Sequence, residues 1–161
     1  MAAAADKNDL VIVTPWQNGI TFARYFRDTC EWTTVPPLQD HMVHRFDVIQ
    51  TLMAEPEVMK PVIQQVEATL KAGNAVWFVG GVNRPDGTNA PGPMPPPPLP
   101  HTGWHETPYA VRWNDQLGWF VRQNATNIEM LDKGDEEDVS LYERSSLEKV
   151  TGWKNQTRTV H

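Results

Sequence analysis

Between residues 57 and 81 the apolar and polar positions fall into a regular order. Val58, Val62, Val66 and Leu70 recur every fourth residue with Met59, Ile63 and Ala72 beside them, while Lys60, Gln64, Gln65, Glu67 and Lys71 point the other way. One apolar stripe predicts one amphipathic helix. Pro61 is tolerated only in a first turn, where its missing N–H has no intrahelical partner, so the helix is expected to begin near Glu57 or Val58. Gly73, directly after Lys71 and Ala72, suits the left-handed residue that closes a helix, and Lys71 complements the dipole. The uncharged run 75–79, rich in β-formers and bounded by Gly80 and Gly81, then predicts a strand covered on both faces. Burying Val58, Val62, Ile63, Val66 and Leu70 at ~1.5–3 kcal/mol each gives roughly 8–15 kcal/mol gross, an upper bound.

The same reading extends along the chain. Residues 10–13 form an apolar β-former run, and the loop 14–19 leads into a short helix over 20–26. Residues 32–35 predict a second strand stopped by Pro36 and Pro37, and a helix is expected from Asp40 to about Met53. Residues 83–104 lose all periodicity; they are proline-dense, include the run 95–98, and predict a solvent-exposed loop with polyproline character. Helical spacing returns at Val111, Trp113, Leu117, Phe120 and Val121, through about Asn124, with Trp113 and Trp119 read as packing residues. Residues 128–131 read as a strand, 135–138 as a solvated acidic turn, and 139–143 with 147–153 as a closing hairpin.

Strands alternating with helices predict a single domain over residues 1–161, of α/β class. The expected architecture is three-layered and Rossmann-like in topology: a mainly parallel sheet, helices on both faces, and a C-terminal antiparallel hairpin. Composition narrows the partners. A chain of 161 residues is long enough for one sizeable core. Its net charge of −6 and lack of a basic stripe disfavour nucleic acid. Cys30 is the single cysteine, so no internal disulfide forms. No apolar run approaches the ~18 residues of a membrane span, and the start of the chain lacks the pattern of a secretion signal. The expected protein is soluble, and cytoplasmic if free-standing.

Candidate chemistry is sparse. In an α/β sheet, ligands bind beyond the carboxyl ends of strands, which puts Trp16, Gln17, Asn18 and Gly19 at a rim with Gly80 and Gly81. Trp16 would stack on a flat or sugar-like group, with Asn18 holding an oxygen; the bland alternative folds Trp16 onto the core. Asp40, His44 and Asp47 would share a helix face, which allows acid–base work by His44 and Asp47 beside Arg45. Ion pairing and capping explain the same residues more simply. His41 and His44 stand three apart, unlike a metalloprotease pair, and no distant third ligand stands out, so no metal is expected. No phosphate-binding or dinucleotide motif occurs, no cofactor is expected, and no nucleophile, base and orienter set appears.

The strings TPWQNGITFARYF, WTTVPPLQDHMVHRFD, ATLKAGNAVWFVGG and GWHETPYAVRW resemble the soluble C-terminal domain of bacterial membrane glycosyltransferases of the glycosyltransferase 39 type, which are similar to dolichyl-phosphate-mannose-protein mannosyltransferases. The likeness extends over about residues 9–153. In that family the transfer chemistry is attributed to acidic residues between membrane helices, and this sequence has no such helix, so no catalytic residue carries over. The resemblance implies an accessory domain, extracytoplasmic if excised from such a protein, that binds glycan or a lipid-linked sugar or assembles with a membrane protein. Two alternatives stand beside it: a small enzyme using the Trp16 loop with His44 and Asp47, and a homo-oligomeric structural protein pairing through a sheet edge or its surplus tryptophans.

Overall fold

Short uncharged runs of β-formers make two of the sheet's three inner strands. In the computed structural model, which describes residues 5–26, 29–86, 89–98, 105–132 and 145–154, β1 is Leu10–Val13, β2 Glu31–Thr34 and β3 Val76–Val79, joined by helices α1 (Asn18–Tyr25), α2 (Phe46–Leu52) and α3 (Lys60–Lys71). Helix α4 (Thr107–Asn124) runs directly into β4 (Ala125–Asp132), and β5 (Leu147–Trp153) completes the sheet. The strand order is β2-β1-β3-β5-β4. β1 pairs in parallel with β2 and β3, whereas β5 is antiparallel to both β3 and β4.

This topology corrects the expected Rossmann-like, mainly parallel, three-layer sheet. Two of the four pairings are antiparallel. The unit β3–α4–β4 does bring β4 back in the direction of β3, but β5 inserts between the two, so the sheet is mixed at its middle and not only at one edge. The layering is also lopsided. Leu10, Ile12, Val76, Phe78 and Val150 face a core built with Val62, Val66 and Leu70 of α3 and Trp113, Leu117 and Val121 of α4. The other face holds a smaller cluster of Val11, Val13, Ala75 and Trp77 with Phe22 and Phe26 from α1 and the turn after it.

Element boundaries shift as well. Helix α2 starts at Phe46, so residues 40–45 are not helical and Asp40, His44 and Asp47 do not share a helix face. The strand expected over 128–131 is the longer β4, and β4 is the antiparallel partner of β5. The acidic run 135–138 and the expected strand 139–143 lie outside the described residues. The proline-dense stretch is more engaged with the fold than an exposed excursion would be: Met94 packs on the core and the Tyr109 hydroxyl donates to the Pro96 carbonyl.

The organising helix keeps its apolar stripe but begins at Lys60, after a turn over 56–59, and not near Glu57 or Val58. Pro61 sits in the first turn of α3, and Val62, Val66 and Leu70 are its buried residues. Gly73 closes it at φ 84°, with its N–H donating to Leu70 O and that of Asn74 to Thr69 O, which satisfies the last carbonyls. Asp9 then fixes strand register from below. Its buried carboxylate accepts the Ala75 N–H and the Trp77 indole N–H, both at 2.8 Å, and so ties the start of β1 to β3. No helix among the described residues is long and apolar enough to cross a membrane.

Candidate functional site

The carboxyl ends of β1, β2 and β3 open on one rim, and the chain leaves it through two cis peptide bonds, Thr14–Pro15 and Val35–Pro36. The loop after β1 drops Trp16 inward instead of presenting it. Trp16 is only 2% exposed, its indole N–H donates to the Glu106 carboxylate just before α4, and the Gln17 amide reaches both oxygens of the same carboxylate at 3.4 Å. The ring is therefore a packing element that locks the β1 loop to α4. Thr14 adds a second lock, with its hydroxyl 3.2 Å from Asn114 Oδ1.

The loop after β2 closes over the same place. His44 lies edge-on to Trp16 with ring centroids 5.8 Å apart, and Phe46 does the same at 5.3 Å. Arg45 bridges Asp40 at 3.1 Å and Asp47 at 2.8 Å. Hydrogen bonding from Arg45 holds the Asp47 carboxyl down to about 2, and the Met42 N–H, with Arg45, lowers Asp40 in the same way. The Arg45 guanidinium is correspondingly raised above its ordinary value, chiefly by its bond to Asp47. No hydrogen bond joins His44 to either carboxylate among the described residues. His41, in contrast, is tucked against Trp32 at 4.3 Å, and burial lowers its pKa.

The remaining expected residues are structural or exposed. Asn18 opens α1 and donates its N–H to Pro15 O, and Gly19 is buried against Thr34 and His41. Gly80 has φ 94° and donates to Ser146 O; a Cβ there would stand 1.7 Å from the Thr14 carbonyl oxygen. Gly81 is exposed with open space around it. The structure thus gathers Trp16, Gln17, His44, Arg45 and Asp47 at one rim, with Gly80 beneath. It leaves Gly81 at the surface, and it shows no cleft between the Trp16 and His44 rings, which touch. Among the described residues no group of three or more His, Cys, Asp or Glu side chains is placed to hold a metal ion. Burial pushes the Cys30 thiol up, away from nucleophilic character.

Sequence reading missed two features. Glu106 stands in an irregular stretch with no periodic signal, yet it receives both Trp16 and Gln17. The second is a groove of about 430 Å³ between α3 and α4, walled by Met59, Ile63, Pro91, Trp119 and Phe120. Trp119 at an otherwise wet position of α4 was its one available sign. Comparison with protein-family models, with curated proteins and with solved structures gives no match.

Proposed function

We propose that this chain is a binding or assembly domain without glycosyl-transfer chemistry of its own, of the accessory kind implied by its resemblance to the soluble part of glycosyltransferase 39-type membrane proteins. Its partner is a glycan, a lipid-linked sugar, a membrane protein or a second copy of itself. The observation that carries this reading is the rim loop over residues 40–46. Met42 is 81% and Val43 57% exposed, standing on a base that Arg45, Asp40 and Asp47 pin in place. An apolar tip held out by a polar clamp serves contact better than it serves proton transfer. The charged groups around it are already committed to one another.

The test uses the purified chain and a Met42→Lys/Val43→Lys variant, which changes only exposed side chains. Thermal shift with sugars and with sugar phosphates that carry no lipid chain, together with light scattering, is expected to give a response in the parent that the variant loses. No shift and no self-association in the parent would overturn the reading. The small-enzyme alternative is favoured by the contact of Trp16 with His44. Two features work against it: Asp47 is tied to Arg45 with a carboxyl near 2, a weak base at neutral pH, and Trp16 is enclosed.

A further inference from the structure

The groove between α3 and α4 is separate from the rim, and what it would accept follows from its walls. Met59, Ile63, Ala90, Pro91, Trp119 and Phe120 supply carbon surface, with Gln64 and Gln116 as the uncharged polar groups. Its two charged lining residues, Glu57 and Lys60, bond to each other at 3.0 Å and are both well exposed, so the groove offers no net charge to an ionic headgroup. The Trp119 indole nitrogen is shut off from solvent and has no hydrogen-bond partner, so the groove meets the carbon face of that ring. Sugars need polar partners for most of their hydroxyls, and two amides are too few. At about 430 Å³ the space falls within the usual range of small-molecule sites and holds roughly fourteen groups the size of a water, taking ~30 Å³ each.

We propose that this groove binds the uncharged hydrocarbon chain of an amphipathic lipid, linear or isoprenoid, with its first polar atoms at the amides of Gln64 and Gln116. Carbon surface from α3, α4 and the stretch at 90–91 lines a groove that stays open to solvent, so a chain would lie along it with one side still wet. The driving force is the removal of apolar area from water, which leaves a negative heat-capacity change as its signature. The proposal rests on the groove alone and stands whether or not the rim loop binds anything.

Isothermal titration calorimetry of the full chain decides it, with three probes: decyl maltoside below its micelle concentration, farnesol, and maltose as the chain-free control. Saturable binding with a negative heat-capacity change is expected for decyl maltoside, farnesol or both, and none for maltose. Binding by only one of the first two names the source as linear or isoprenoid. Ala90→Trp and Gln64→Trp each fill the groove from an exposed position, and each is expected to raise Kd at least tenfold while leaving the urea midpoint unchanged. The proposal is overturned if neither chain-bearing probe binds, if maltose binds as well as decyl maltoside, or if both folded variants bind the chains as tightly as the parent.

Discussion

His41 shows how a single side chain at the rim couples packing to pH. Its ring lies against Trp32 at 4.3 Å and a Cβ on Gly19 would come within 3.0 Å of Nδ1, so the half-buried imidazole has exchanged part of its water for protein. Burial penalises the charged form, and the Leu38 backbone bond and the Asp40 charge only partly offset it, which leaves the pKa below 6.5. The sign follows from proton counting. Between the depressed folded value and 6.5 the unfolded chain holds more protons, so this contribution is full above 6.5 and is lost as pH falls through the folded value. Asp40 and Asp47 act the same way but in a lower window, below 3.8. The melting temperature is therefore expected to fall between pH 7 and pH 5, and His41→Phe, which keeps a ring on Trp32 but cannot titrate, is expected to flatten that fall. An unchanged slope in the variant would assign the effect elsewhere.

At the scale of elements, what the sequence made legible was set by local physics. The four-residue spacing from Val62 to Leu70, the place of Pro61 and the stop at Gly73 all act within one helix, and α3 follows them, while Val58 falls in the turn that precedes it. Helix α2 does not, because Arg45 clamps Asp40 of the preceding loop to Asp47 in the first helical turn, and charge spacing alone reads that clamp as a helix face. Strand order was not legible for a related reason: nothing in the residues of β5 says that it inserts between β3 and β4. Of the site, the place of the Trp16 loop was legible from strand-end logic, while His44, expected on a helix face, and Glu106 were not, since one carboxylate in an aperiodic stretch carries no signal. Gly80 and Gly81 looked alike in sequence and differ in the fold. Gly80→Ala must seat a Cβ 1.7 Å from the Thr14 carbonyl at a φ of 94°, and is expected to cost more than about 3 kcal/mol. Gly81→Ala meets open space and is expected to stay within about 0.5 kcal/mol, both read by urea unfolding.

Across the whole molecule, the parallel and antiparallel halves of the sheet meet at β3 and β5, and one ion pair crosses that joint. Glu148 on β5 is opposite Phe78 on one side and Met130 on the other, almost fully buried, and Arg84 from the chain leaving β3 bonds to it with little exposure of its own. Removing one partner strands a charge in the interior, whereas removing both removes the need for either. Arg84→Met is accordingly expected to cost about 3–5 kcal/mol and Arg84→Met/Glu148→Met clearly less than the sum of the two single changes. Urea unfolding of the four proteins gives a second reading from the same curves. If the halves share one core, as the cluster running from Leu10 through Phe78 to Val150 requires, the midpoint moves while the slope and the single transition stay. A split transition in Arg84→Met would mean that β4 and β5 unfold apart from the parallel strands, with the ion pair as the tie between them.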